Sequence, residues 1–468
     1  MNPAPANLNA TLLPAVASCD STFRLMEHLM RFCRDQAAAF RTWDDNPASK
    51  ADVRAANDEA RRIVTDEIGT VFAPDDDPVK LAHIRTAVAG YLGEVVPPPV
   101  VRAELLLREL DRAFLANLRA LYPDFQPGPL APGGLFPVYW PNLKGNGWFP
   151  ADKLSPQPAS MSPPPGFLTK WALAPSADAF SGRQVELVFP ARTDVSSPLT
   201  GALNLGVGIL NAERGELVWE EDIGPPPLFR NVRPRPDIRD RQVAAMCSIA
   251  TRAASEGVRV LVFPELCVDQ SGADEVFRHI ATLNAPPALV VIGSYHWLDG
   301  ATRRNTCTAF RTGTASPLHH HKIAPFSYRQ GNQTFREDIR SGDTVRVYVG
   351  TDWSVVLLIC RDFLDASLRP LVEALRPTFL CVPSFSQTTP FVDLAGAITA
   401  SSQTVVVFAN GPVPLDRVTA VFGVPRVREE HSSGAALARQ SVMPEPLPAL
   451  PCLVVYSGIN DAIRHLPC

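Results

Sequence analysis

Val355-Val356-Leu357-Leu358-Ile359-Cys360-Arg361-Asp362-Phe363 begins with five consecutive aliphatic residues and turns polar just after a cysteine. An unbroken apolar run of this length is the pattern of a strand covered on both faces, as in the parallel sheets of α/β proteins. The polar residues that follow predict a helix start. That would set backbone N–H groups and a positive helix end beside the Cys360 sulfur and lower its thiol pKa. Isolated cysteines are usually inert core residues, and the same tripeptide recurs as Cys33-Arg34-Asp35 in an amphipathic helical run. Position directly after a strand, not the tripeptide, carries the signal.

Two further stretches have the same character. Val260-Leu261-Val262-Phe263-Pro264-Glu265-Leu266 delivers a carboxylate just past a hydrophobic strand, at the strand end where open α/β sheets hold ligands. Alone, such a glutamate reads as a solvated loop residue. His319-His320-His321-Lys322-Ile323-Ala324-Pro325-Phe326 ends in a lysine before a proline-fixed turn, suited to holding an ammonium in a pocket. Adjacent histidines on a strand point to alternating faces, and no carboxylate or cysteine lies at ligand spacing, so no metal is expected.

Around these motifs, short β-branched runs alternate with helical stretches from Ala202 onward. The runs are Leu203–Leu210, Val258–Phe263, Ala288–Gly293, Thr306–Phe310, Val345–Val349, Val355–Ile359, Phe379–Val382 and Thr404–Phe408, with helices at Asp240–Ser255, Asp274–Leu283 and Ala366–Leu375. This alternation predicts an α/β domain over residues 199–468. Residues 1–122 read as an all-α region of four helices, broken at Asp44–Pro47, Pro74–Pro78 and Pro97–Pro99. Residues 123–198 read as a connector rich in proline and aromatics, including Phe136, Tyr139, Trp140, Trp148, Phe149 and the tract Ser162-Pro163-Pro164-Pro165. Phe72-Ala73-Pro74-Asp75-Asp76-Asp77 is proline-interrupted and reads as a helix boundary, not a polymerase-type aspartate pair.

Composition narrows the function classes. With 468 residues the chain has room for two or three units. The 48 acidic and 44 basic residues nearly balance, so nucleic acid is not indicated as a partner. Nine scattered cysteines form neither a disulfide framework nor a zinc ladder. The start Met1-Asn2-Pro3 lacks the features of a signal peptide, and no apolar run is long enough to span a bilayer. A cytoplasmic protein without membrane association is expected.

Phe-Pro-Glu-Leu with Glu265, then His-Lys-x-x-Pro-Phe with Lys322, then Ile-Cys-x-Asp with Cys360, in that order, resemble the nitrilase superfamily of carbon–nitrogen hydrolases. Gly293 with Asn305-Thr306, and Val406-Val407-Phe408-Ala409-Asn410-Gly411, resemble further family pieces; the likeness runs from about Ala202 to the C-terminus. It implies a four-layer α-β-β-α sandwich, preceded here by the helical region. It also implies a Cys360 nucleophile, Glu265 as general base and Lys322 as stabiliser of the tetrahedral intermediate. Arg361, His321 and Asn410 are the expected substrate or oxyanion contacts.

The resemblance further implies a small-molecule amide substrate, no cofactor, no metal, and assembly into homo-oligomers. Three departures stand out. Ser327-Tyr328-Arg329-Gln330 holds no second glutamate of the kind many members carry after the lysine, with Glu337 only a distant substitute. A proline-rich insertion, roughly Ala212–Pro236, follows the first strand, and Arg361 replaces the tryptophan of nitrile-specific members, which favours an amide substrate. The alternative is a hydrolase-like scaffold or interaction protein with little or no turnover, possible context for which is a bacterial defence system.

Overall fold

The structure, a computed structural model, describes residues 11–36, 50–68, 77–113, 128–138, 171–189, 199, 202–210, 214–314, 316–350, 353–386, 390–411, 418–424, 438–442, 451–458, 460 and 462–468. Tyr139, Trp140, Trp148, Phe149, the Ser162–Pro165 tract, the Asp44–Pro47 break and Phe72–Asp76 lie outside them. The chain divides into two compact units, Met1–Val138 with Pro156–Ala177, and Tyr139–Ser155 with Asp178–Cys468.

The first unit holds helices Leu13–Ser18, Thr22–Asp35, Lys50–Arg62, Pro78–Gly93 and Pro99–Ala113. The Ser21 hydroxyl accepts from Arg24 N at 3.2 Å, and the Asp77 carboxylate accepts from Val79 N at 3.0 Å ahead of a proline first turn. These are N-caps that satisfy donors a helix start leaves open. Leu25, Leu29, Met30 and Cys33 pack with Leu106 and Leu110 in one core. Leu13–Ser18 is a helix beyond the four expected. The antiparallel pair Leu135–Pro137 and Trp171–Leu173 adds a small sheet, with Leu135 in the helical core, so this unit is not purely helical.

The second unit is built on two sheets. One runs Leu318–His321, Thr302–Arg311, Leu289–Asp299, Val258–Val262, Asn204–Ile209, Cys452–Ser457, Ala462–Pro467 in spatial order. The other includes, in order, Gln184–Val188, Thr344–Val349, Ser354–Leu357, Phe379–Ser384, Val405–Asn410, Val418–Gly423 and Ala438–Val442. Gln184–Val188, within the stretch expected as connector, pairs in parallel with Thr344–Val349.

Leu205, Val207, Val260, Val262, Leu289 and Val291 of one sheet share a core with Val355, Leu357, Phe379, Cys381, Val405 and Val407 of the other. The residues between them, such as Leu261 and Phe263, face helices Pro236–Ser255 and Gln270–Ala281 through Met246, Ile249, Val276 and Ile280. On the far side Phe408 meets Phe391 of helix Pro390–Ser402. The order helix, sheet, sheet, helix is the four-layer sandwich expected. It also explains the unbroken apolar runs: both faces of each central strand are covered, and each fully buried aliphatic side chain contributes about 1.5–3 kcal/mol.

The insertion after the first strand forms strands Leu217–Asp222 and Leu228–Pro234. With Ser327–Gln330 and Gln333–Glu337 they make a separate four-stranded sheet. Among the described residues, no helix is long and apolar enough to cross a membrane.

One glycine is demanded by the packing near the Pro264 turn. Gly293 has φ +81°, and a Cβ there would lie 2.1 Å from the Pro264 carbonyl oxygen. Gly293→Ala is therefore expected to lower unfolding stability by about 2 kcal/mol or more, read as a shifted denaturant midpoint. An unchanged midpoint contradicts the close approach.

Candidate active site

Both sheets send a chain end to one place. The Val258–Val262 strand runs on into Pro264 and Glu265, whose backbone N–H donates to the Ser384 carbonyl of the opposite sheet at 3.3 Å. The Ser354–Leu357 strand continues to Cys360, whose N–H donates to the Pro383 carbonyl at 2.8 Å. Cys360 has φ +44° and Leu266 φ +60°. Non-glycine residues in this region cost roughly 1–3 kcal/mol and cluster where surrounding structure imposes function. Here they flank the thiol and the carboxylate.

Lys322 follows the Leu318–His321 strand, and its backbone N–H donates to the Asn305 carbonyl. Its ammonium lies 2.7 Å from Glu265 Oε1 and 2.8 Å from Glu337 Oε2. The Asn305 amide nitrogen donates to Glu265 Oε1 at 3.0 Å and to Glu337 Oε1 at 2.8 Å. Glu337 Oε2 also accepts from Phe326 N at 2.8 Å. His296 Nδ1 accepts from Val232 N at 3.1 Å, so Nε2 carries the proton it donates to Glu337 Oε1 at 2.9 Å. The Cys360 thiol donates to the Phe385 carbonyl oxygen at 3.8 Å, and the Glu265 carboxylate is close enough for its charge to act on the sulfur.

The cluster is closed to bulk water: Cys360 is 2 %, Glu265 3 %, Lys322 1 % and Glu337 3 % exposed. In so dry a setting charges interact strongly, and the two carboxylates divide. Burial and the nearby Glu337 charge push Glu265 above the usual carboxylate range against the pull of Lys322. Burial would raise Glu337 too, but Lys322 and the His296 N–H outweigh it and hold Glu337 well below that range. Burial alone would strip Lys322 of its proton; Glu265 and Glu337 reverse this and keep it an ammonium. Such a split pair gives one carboxylate able to carry a proton and one fixed counter-ion.

The expected lowering of the thiol pKa is not found. Burial, then the Glu265 charge, push the Cys360 thiol up to about 12, only partly opposed by Lys322. The helix beyond it is one turn, Arg361–Leu364, too short to offset desolvation. The resting thiol therefore keeps its proton.

Asp362 joins the two halves. Its Oδ1 accepts from Ile323 N at 2.9 Å and Ala324 N at 2.7 Å, and its Oδ2 accepts from Ile359 N at 3.1 Å and meets His320 Nε2 at 2.9 Å. One buried carboxylate thus pins the lysine turn to the cysteine turn.

The side chains of three expected contacts lie elsewhere. Arg361 is exposed on the first turn of its short helix. His321 hydrogen-bonds Thr306 Oγ1 at 2.9 Å, on the strand face opposite His320 and Lys322. Asn410 spends its amide on backbone, accepting from Ser386 N at 3.0 Å and donating to Ser386 O at 3.0 Å and Val418 O at 2.9 Å. It braces the turn that carries the Phe385 carbonyl. Asn305, Asp362 and His296 were not singled out from sequence; Asn305 and Asp362 lay inside quoted motifs, while His296 carried no signal. Glu337 reaches Lys322 because the hairpin Ser327–Gln330/Gln333–Glu337 returns it to Phe326. Cys33, the comparison cysteine, is buried in the helical core, with its sulfur 3.9 Å from the Val100 carbonyl oxygen. Among the described residues no group of three or more His, Cys, Asp or Glu could hold a metal.

No protein-family model matches the sequence, nor does any curated protein. Solved structures similar to the chain include a mutant of the Nesterenkonia AN1 amidase from the nitrilase superfamily, 14% identical with TM-score 0.38, covering 57% of this chain and 92% of that one. Another is an amidase from Nesterenkonia sp., 15% identical with TM-score 0.38 over 57% and 92% of the two chains. A third is the glutamine-dependent NAD+ synthetase from Acinetobacter baumannii, 13% identical with TM-score 0.34 over 54% of this chain and 45% of that one.

Two outcomes follow from the geometry. Alkylation of Cys360 by iodoacetamide, followed by peptide mass spectrometry, is expected to climb through about pH 10, as a thiol with a raised pKa requires; a plateau below about pH 8 contradicts this. Asn305→Leu removes an N–H from each carboxylate and so favours the protonated forms. Asn305→Leu should therefore raise the Glu265 pKa, seen in the carboxyl infrared band of a pH titration against wild type.

Proposed function

We propose that this chain is an amidase-like carbon–nitrogen hydrolase that cleaves a small amide through a Cys360 thioester. The observation that carries the reading is the buried Lys322 ammonium shared by Glu265 and Glu337, with the buried Cys360 thiol within reach of the Glu265 charge.

In this reading Glu265 takes the thiol proton as sulfur attacks the amide carbonyl, so thiolate forms only with the bond. Lys322 and the Arg361 backbone N–H stabilise the oxyanion, which needs no reorganisation in a closed site. Glu265 returns the proton to the leaving nitrogen as the C–N bond breaks. It then deprotonates water, whose attack on the thioester releases the acid and restores the thiol. Glu337, always ionised, keeps Lys322 charged throughout.

Asn410, Asp362 and Asn305 position these groups without touching substrate. The scaffold reading drew on a missing second carboxylate; Glu337 beside Lys322 weighs against it. All nine cysteines are free, which supports a reducing, cytoplasmic setting. Assembly into homo-oligomers remains part of the proposal on family resemblance.

The test is ammonia release from primary amides. Cys360→Ala should abolish it, and Glu265→Gln should reduce kcat by about 10²–10⁴-fold. The base must be deprotonated, so kcat/KM should rise with pH through a value above the usual carboxylate range, with no descending limb from Lys322 near neutrality. Glu337→Gln removes the charge that raises Glu265, so the acid limb should move to lower pH even as kcat falls. Retained turnover in Cys360→Ala overturns the proposal.

A further inference from the structure

The two buried carboxylates share most of their donors. The Lys322 ammonium and the Asn305 amide each reach both of them. Glu337 receives two more, the Phe326 backbone N–H at 2.8 Å and the His296 imidazole at 2.9 Å. Among the described residues, His296 is therefore the side chain whose hydrogen bond sets Glu337 apart from Glu265. It stands opposite Asn305 in the pairing of Leu289–Asp299 with Thr302–Arg311, and its side chain is 4 % exposed.

A neutral imidazole donates from one nitrogen only, and the bond made by the other nitrogen decides which. Here that bond comes from the insertion. Along the ladder between Leu217–Asp222 and Leu228–Pro234, Val218 is opposite Arg233 and Glu220 opposite Arg230, so Asn231 and Val232 together face Trp219. This is a β-bulge, a device that re-aims groups beside active sites. Asn231 takes φ +50° in it, a conformation that asparagine tolerates better than most residues, and its amide donates to Glu220 Oε2 at 2.6 Å. The Val232 N–H goes to His296 Nδ1, 3.1 Å away. Phe229 of the same strand stacks on the imidazole with ring centres 6.4 Å apart, and it pairs in register with Glu337 itself. The accessory sheet curls until its edges meet, Tyr328 of one outer strand donating to Glu221 of the other.

We propose that the insertion is part of the catalytic apparatus: its bulge at Asn231 and Val232 fixes the His296 tautomer, and His296 is the positioning residue that makes Glu337 the counter-ion and leaves Glu265 as the base. The inference rests on the amidase reading above and adds a residue and an element to it. A thiol proton taken by Glu265 has to stay there until the leaving nitrogen needs it. With the His296 donor gone, the two carboxylates differ only by the Phe326 N–H, and the proton can lodge on Glu337 instead. Other charges on the strands around the imidazole are already paired: Asp338 with Arg303 and Arg230, Arg304 with Asp299, and Arg233 with Glu220.

Nitrogen-15 NMR of histidine-labelled protein at neutral pH, with His296→Gln to assign the signal, should show His296 as the Nε2–H tautomer. The Nδ1–H tautomer or an imidazolium overturns the proposal. Val232→Pro deletes the N–H at a bulge, where proline is tolerated, and should let the Nδ1–H form appear; an unchanged signal in the folded variant overturns the part given to the bulge. His296→Leu should lower kcat for a primary amide about tenfold or more with KM within about twofold, as loss of a hydrogen bond to a charged group away from substrate requires. His296→Gln, whose amide can donate to Glu337, should recover most of that loss, and equal loss in both variants overturns the positioning role. If wild type hydrolyses no amide, only the amidase reading fails, and a carboxyl infrared titration in the Glu265→Gln background still decides. Adding His296→Leu there should bring up the protonated Glu337 band at higher pH, because a donor to the carboxylate is lost; an unmoved band overturns the proposal.

Discussion

The Lys322 ammonium, buried between Glu265 and Glu337, is the constraint on which the rest depends. A lone ammonium at 1 % exposure would lose its proton. Two carboxylates keep it charged, and each arrives on a different element: Glu265 after a central strand, Glu337 at the end of a hairpin. Lys322 itself hangs from an edge strand through Asn305. The ion cluster thus forms only when the sheet, the hairpin and the Asp362 clasp are all in register, which links the fold's integrity to the site.

The same cluster sets the division of labour. One ammonium cannot fully compensate two carboxylates, so burial falls on Glu265, which is pushed up, while Glu337 keeps the better set of donors. The thiol beside Glu265 is pushed up as well. An activated thiolate is not stored at rest; in the proposed reaction it forms only when a carbonyl is within reach, with Glu265 as acceptor. The strained backbone at Cys360 and Leu266 fixes that meeting.

Much of the framework was legible in the sequence because the central strands are buried on both faces. Val260–Phe263 and Val355–Ile359 therefore read as unbroken apolar runs, and the residues just past them, Glu265 and Cys360, stood out. What sequence could not supply was pairing. Glu337 is fifteen positions beyond Lys322 in the chain, yet a hairpin folds it back. His321 sits next to Lys322 but faces the other way, as alternation on a strand requires. Asn410 looked available for a ligand until the Ser386 backbone claimed its amide. The thiol shift was misread because a helix start is visible in sequence while its length and the depth of burial are not. The curled accessory sheet was visible only as a proline-rich insertion.

The most direct measurement of the central claim is rapid-quench mass spectrometry of wild type with a primary amide, followed by peptide mapping. Deferred nucleophilic catalysis predicts a transient acyl mass on the peptide that contains Cys360. Substrate consumption with no acyl adduct, or with the adduct on another cysteine, would contradict it.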